Sequence, residues 1–231
     1  MSQLVLPLQL ADHAVFASFL SHGNEALIST LESLSAGDIG QGYWLWGSRA
    51  TGKTHLLQAV CDRAGDRSVY VPLAVLADAG PAMLEGLESR ELICLDDIDR
   101  VAGNRQWELA LFNLFNDLHD AGAQLVVSAK AAPRECGIEL ADLASRMSKL
   151  AVFQMQPLDE QQRVAALQLR AKHRGLELPD ETAAYLLKRS RRDMASLYSL
   201  LDKLDLEALR AQRRLTIPFV RDVLGKVVDP S

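Results

Sequence analysis

Gly47-Ser48-Arg49-Ala50-Thr51-Gly52-Lys53-Thr54 fits the pattern G-x-x-x-x-G-K-[ST], and its flanks supply what such a loop requires. Before it, Tyr43-Trp44-Leu45-Trp46 reads as a buried strand; after it, His55-Leu56-Leu57-Gln58-Ala59-Val60 reads as a helix. Glycines let the backbone wrap closely around phosphate oxygens, and the N–H groups at the helix start face the anion. In this pattern Lys53 reaches the β- and γ-phosphates and Thr54 holds Mg²⁺. A plain glycine turn between strand and helix leaves Lys53 and Thr54 unexplained.

Outward from the loop, short apolar runs alternate with helical spacing. Strands are predicted over residues 43–46, 68–71, 92–95, 125–128 and 152–155. The clearest intervening helix is 106–121, where Trp107, Leu111, Leu114, Phe115 and Leu118 fall on one face. Such alternation implies parallel strands joined by right-handed crossovers, an α/β layer with a parallel sheet flanked by helices. After Gln156-Pro157 the alternation stops. Helices are predicted over 160–175, 180–190, 193–213 and 217 to about 228, a small all-α domain punctuated by Gly175, Pro179 and Pro218. The expected organisation is a tail over 1–12, a nucleotide-binding domain over 13–157 and a helical lid over 158–231.

A chain of 231 residues, 48% hydrophobic, buries a sizeable core. No apolar run is long enough to span a bilayer, and Met1-Ser2-Gln3-Leu4-Val5-Leu6-Pro7 lacks the basic residues and cleavage site of a secretory signal. Cys61, Cys94 and Cys136 are odd in number and free of C-x-x-C spacing. They read as reduced buried thiols in a cytoplasmic protein with no membrane contact. A net charge of −5 speaks against broad, non-specific nucleic-acid binding, which needs a concentrated positive field.

Leu92-Ile93-Cys94-Leu95-Asp96-Asp97 is an apolar strand ending in two carboxylates. In phosphate-loop proteins such a strand brings an acid to Mg²⁺, here Asp96, and the next acid, Asp97, orients the attacking water. Two solvated acids opening a loop toward Arg100 are the bland reading, and Asp99 is expected to be solvated. Arg146, in Asp142-Leu143-Ala144-Ser145-Arg146 before the last strand, is either a surface ion pair or a finger pointing into a neighbour's nucleotide. Arg191 and Arg192, beside Lys188 and Arg189, are either a solvated helix face or a lid-side phosphate contact. Gln3-Leu4-Val5-Leu6-Pro7 offers one amide and several apolar side chains to a surface groove, and Pro7 blocks helix formation; a short arm packed on the core is the alternative.

Taken in order, the phosphate loop, the Asp96-Asp97 strand, the helix running into Gln124-Leu125-Val126-Val127-Ser128, and Leu143-Ala144-Ser145-Arg146 resemble the AAA+ ATPase module of the bacterial replication initiator DnaA. Phe16-Ala17-Ser18-Phe19 and Asn24-Glu25-Ala26-Leu27 resemble its adenine-side motif, which implies a nucleotide contact by Phe16, and the loop's nucleotide contacts are expected to run on to His55. The resemblance places Ser128 at a polar sensor position, Arg146 at the arginine finger and Arg192 at a second sensor in the lid. The chain stops after the lid helices, and Gln3, Leu4, Leu6 and Pro7 match a pentapeptide that docks on the DNA polymerase sliding clamp. Together these features resemble the Hda family of DnaA regulatory inactivators. That resemblance implies ADP or ATP with Mg²⁺, DnaA and the clamp as partners, DNA reached mainly through the clamp, nucleotide-dependent self-association, and stimulation of hydrolysis on DnaA that prevents re-initiation. Ala50 stands where the AAA+ loop usually has glycine, and Asp97 where many AAA+ ATPases carry glutamate. Both fit a nucleotide-holding switch with weak or no turnover of its own. A helicase-loader-like protein gripping single-stranded DNA is the rival. It needs a basic groove with stacking aromatics, and 6% aromatic content counts against it.

Overall fold

Five apolar strands separated by helical segments have to cover both faces of one sheet. The computed structural model of the chain describes residues 14–34, 42–189 and 194–228. In chain order these form α1 (Glu25–Leu34), β1 (Gly42–Trp46), α2 (Lys53–Ala64), β2 (Ser68–Pro72), α3 (Leu73–Leu76), β3 (Leu92–Asp96), α4 (Arg105–Ala121), β4 (Gln124–Ala129), α5 (Ala141–Met147) and β5 (Ala151–Gln154). There follow α6 (Glu160–His173), α7 (Asp180–Arg189), α8 (Met194–Ala211) and α9 (Ile217–Val228). They fall into two units, one of residues 14–16 with Gly23–Pro157, the other of Ala17–His22 with residues 158–228. Gln3, Leu4, Leu6, Pro7, Arg191 and Arg192 lie outside the described residues.

The sheet has the order β2-β3-β4-β1-β5, and every pairing is parallel. Each strand read from the sequence is present, with its ends shifted by at most one residue. β3 and β4 are buried along their whole length, as covering on both faces requires, whereas the edge strand β5 leaves Val152 45% exposed. The crossover from β2 to β3 is the least regular. α3 lasts one turn and gives way to single 3₁₀ turns, because Gly80 (φ 89°) followed by Pro81, and then Gly86 (φ 82°), interrupt any longer helix.

α4 is bounded by its own sequence. Asn104 Oδ1 accepts from the N–H groups of Gln106 and Trp107, and Gly122 in the left-handed region closes the other end. Between these caps, Trp107, Leu111, Leu114 and Leu118 are buried against the sheet, as their spacing predicts, and Phe115 is half-buried beside them. Removing one such leucine side chain costs about 2–5 kcal/mol. Cys61, Cys94 and Cys136 are free and buried, as the sequence predicts.

In the second unit, Asp159 and Gln162 form a capping box that starts α6. Arg170 lies over the Tyr198 ring at 4.3 Å, and Arg174 Nη1 forms an ion pair with Asp202 at 2.7 Å, so α6 is tied to α8 by guanidinium groups as well as by Leu167, Leu197 and Leu201. Among the described residues no helix is long and apolar enough to cross a membrane.

Candidate functional site

β1 sits between β4 and β5, so the chain leaves it toward one side and later crosses it to reach the other. That reversal opens a crevice at the carboxyl ends of the strands, where open α/β sheets bind ligands. The loop 47–54 starts in this crevice. Gly47 N–H donates to Ala129 O at 3.3 Å, and on the other side Met155 N–H donates to Trp46 O at 2.7 Å. A Cβ on Gly47 would meet Met155 O at 2.8 Å and Thr51 Oγ1 at 3.2 Å, so only glycine fits where the loop leaves the sheet.

Gly52 takes φ 93°, ψ 14° and hands the chain to α2 without any side-chain cap. The first N–H groups of α2 are therefore left to an anion. Thr51 Oγ1 bonds back to Ser48 O at 3.0 Å and tightens the loop, while Ser48 and Arg49 stay exposed on its rim. Ala50 adopts φ 64°, a left-handed conformation that its Cβ penalises. The Lys53 ammonium is buried and donates to Gly47 O at 2.8 Å and Ser48 O at 2.9 Å, which leaves its third N–H. Burial pulls its pKa down, and the neighbouring Asp97, Asp96 and Asp99 oppose that.

Asp96 ends β3 with its carboxylate surrounded by hydroxyls. Oδ2 accepts from Thr54 Oγ1 at 2.8 Å and from Tyr70 at 2.7 Å, and Oδ1 accepts from Ser128 Oγ. Because Thr54 gives its proton to Asp96, the lone pairs of its oxygen are left for a cation. One carboxylate and one hydroxyl suit a Mg²⁺ ion that takes its remaining ligands from phosphates and water. Among the described residues no cluster of three or more His, Cys, Asp or Glu stands ready to hold a metal alone. The donor set thus fits a nucleotide-borne cation.

Ser128 also accepts the Asp97 N–H at 2.9 Å, and Asp97 itself sits at φ 58°, ψ 51°. Half-buried beside Asp96 and Asp99, its carboxyl is pushed above the usual carboxylate range, first by burial and then by those two charges, against the pull of Lys53 and Lys130. A carboxyl so raised is a better proton acceptor near neutral pH.

Asp99 corrects the expectation that it is solvated. Its side chain is 12% exposed, with one oxygen 2.7 Å from Lys130 Nζ and the other accepting the Lys130 N–H at 3.1 Å. The segments after β3 and β4 are joined there. His55 Nε2 lies 2.9 Å from Val15 O, and Arg63 lies 6.0 Å from the Phe16 ring centre, so α2 holds the segment that carries Phe16. Arg146, on the last turn of α5, lies 5.9 Å from the Phe115 ring centre and makes no ion pair among the described residues. The loop, Asp96, Asp97 and Ser128 are brought together; among the described residues no side-chain hydrogen bond or ion pair joins Arg146 to them.

Sequence reading missed Tyr70 and Glu108. Tyr70 pairs in register with Cys94, two residues before Asp96, and reaches forward to its carboxylate. Only the order of the strands reveals that.

With this geometry in place, family comparison adds two matches. Residues 16–152 match the model of the bacterial DnaA ATPase domain, and residues 159–224 match the model of the Hda lid domain. The chain belongs to the bacterial DnaA ATPase domain family. It is a DnaA-related AAA+ protein, with a parallel five-stranded sheet flanked by helices and a helical C-terminal region. Domain III of Thermotoga maritima DnaA superposes with a TM-score of 0.76 at 21% identity, covering 96% of this chain and 99% of that one. AMPPCP-bound DnaA from Aquifex aeolicus gives 0.67 at 22% identity, covering 87% and 68%. The Holliday junction branch migration motor RuvB of Thermotoga maritima gives 0.61 at 19%, covering 88% and 69%. At these identities the likeness speaks for the fold.

Proposed function

We propose that this chain is a cytoplasmic, nucleotide-holding regulator of DnaA that stimulates hydrolysis of DnaA-bound ATP through Arg146 and so prevents re-initiation of chromosome replication. The observation that carries the reading is the placement of Arg146. It is half-buried at the end of a short helix, held by Phe115, and leaves its charge without an ion pair among the described residues. A guanidinium in that state suits a partner's triphosphate. A finger supplied in trans neutralises charge developing on the transferred phosphoryl group and contributes about 10³–10⁵ in rate.

The chain's own ADP or ATP would rest on Gly47, Ser48, Arg49, Ala50, Thr51, Gly52, Lys53, Thr54 and His55, with Phe16 on the adenine side, Ser128 as polar sensor and Arg192 as the lid's sensor. Mg²⁺ would be held by Thr54 and Asp96; when bound it would neutralise phosphate charge. Asp97 would orient water there, but the strain at Ala50 and the short reach of Asp97 support slow or no turnover. In this reading residues 1–12 form a tail whose Gln3, Leu4, Leu6 and Pro7 dock on the sliding clamp, residues 13–157 bind nucleotide and 158–231 form the lid. A clamp on DNA then raises the local concentration of regulator beside bound initiator, strengthening a weak contact.

Phosphate release from ATP-loaded DnaA, with clamp on DNA, tests the reading. Wild-type chain should accelerate it, Arg146→Ala should not, and alanine at Gln3, Leu6 and Pro7 should remove clamp association and most of the acceleration without unfolding. Undiminished acceleration by Arg146→Ala assigns the finger elsewhere.

A further inference from the structure

Glu108 is a carboxylate within the core. It lies on α4 with 2% of its surface exposed, and its two oxygens accept three backbone N–H bonds from outside the helix. Oε1 accepts from Gly103 at 2.8 Å and Glu139 at 3.0 Å, and Oε2 from Leu140 at 2.7 Å. One side chain therefore ties the segment leaving β3 to the segment that launches α5. The helix has no other anchor of this kind at its start, since its N-cap residue Leu140 offers no side-chain bond. Two turns along α4 from Glu108, Phe115 lies against Arg146. Seven residues of α4 advance about 10 Å, and the six steps from Leu140 to Arg146 about 9 Å. The two helices run side by side in the same direction, pinned at one end by Glu108 and at the other by the ring under the guanidinium.

We propose that Glu108 is a positioning residue for Arg146. A carboxylate aimed at three amides specifies a direction and a register, which an apolar side chain of equal volume does not. It fixes where α5 begins, and with it the point from which the Arg146 guanidinium leaves the surface. Glu108 itself touches no part of the phosphate loop. The inference rests on the finger reading of Arg146. Displacing a catalytic group by about 1 Å costs roughly 10²-fold in rate, so a loosened α5 is expected to show in the chemistry rather than in binding.

The test uses the full chain as wild type, Glu108→Gln, Glu108→Asp and Arg146→Ala. Glu108→Gln sets an N–H against a backbone N–H, and Glu108→Asp keeps the charge but draws the acceptors back by one methylene. Two quantities are measured: residue-by-residue amide hydrogen exchange, and phosphate release from ATP-loaded DnaA as the chain is titrated in. Exchange should quicken at Gly103, Glu139, Leu140 and through α5 while the rest keeps its protection. The plateau rate should fall about 10- to 100-fold with the half-saturating concentration unchanged. A full plateau from either variant whose α5 amides have lost protection overturns the proposal. If Glu108→Gln loses protection throughout, Glu108→Asp decides by the same criterion. Arg146→Ala separates the two failures. Stimulation equal to wild type sinks the finger reading and the positioning role with it. Abolished stimulation beside full plateaus from the Glu108 variants sinks the positioning role alone.

Discussion

Asp97 carries its carboxyl in a pocket that favours the proton. Burial, Asp96 and Asp99 raise its pKa in the folded protein, so between the ordinary carboxylate value and the raised one the folded state binds more protons than the unfolded chain. Stability then falls as pH rises through that window, and the full penalty is present above it. Asp97→Asn, which tolerates the left-handed backbone, should raise the melting temperature near neutral pH, with the gain vanishing as pH drops to about 4. A gain independent of pH contradicts this account of the site. Ala50 makes a second residue-scale statement. At φ 64° its Cβ costs about 1–2 kcal/mol, and glycine there returns part of that as unfolded-chain entropy. Ala50→Gly should stabilise by up to about 1 kcal/mol and Ala50→Val destabilise by about 1–2 kcal/mol in denaturant unfolding. Equal stability of all three would show that the loop does not hold that conformation.

β1, the loop and the start of α2 work as one element, because Gly47 is caught between Ala129 and Met155. Gly47→Ala would push a methyl group into Met155 O, a backbone atom that cannot turn aside. The expected outcome is a loss of about 1–3 kcal/mol of stability together with much weaker nucleotide binding, read by calorimetry. Unchanged nucleotide affinity would mean that the loop does not depend on that close approach. At this scale the sequence was most readable. Strands announced themselves by apolar runs, α4 by the spacing of Trp107, Leu111, Leu114 and Leu118, and the loop by its glycines and Lys53. What escaped was whatever needed strand order or distant loops. Tyr70 meets Asp96 because β2 lies beside β3, and nothing local to either strand says so. Asp99 meets Lys130 across a gap of thirty-one positions, and Glu108 meets Leu140 across thirty-two. A carboxylate's local sequence tells nothing about backbone amides brought to it from elsewhere, so Asp99 reads as solvated and Glu108 gives no signal at all.

The whole molecule combines a DnaA-type core with an Hda-type lid region, and its phosphate site and its arginine finger candidate are separate features of one sheet-and-helix unit. The first gathers the loop, Lys53, Thr54 and Asp96; the second, on α5, shares no hydrogen bond or ion pair with them among the described residues. In the proposed assembly each protein supplies half of a catalytic centre, and the clamp brings the halves together. The most direct measurement is a structure of this chain trapped with DnaA that carries a hydrolysis transition-state analogue. The account predicts the Arg146 guanidinium within hydrogen-bond reach of the analogue's phosphoryl group, with Phe115 still beneath it. Arg146 facing solvent, with another cation in its place at the DnaA nucleotide, would contradict it.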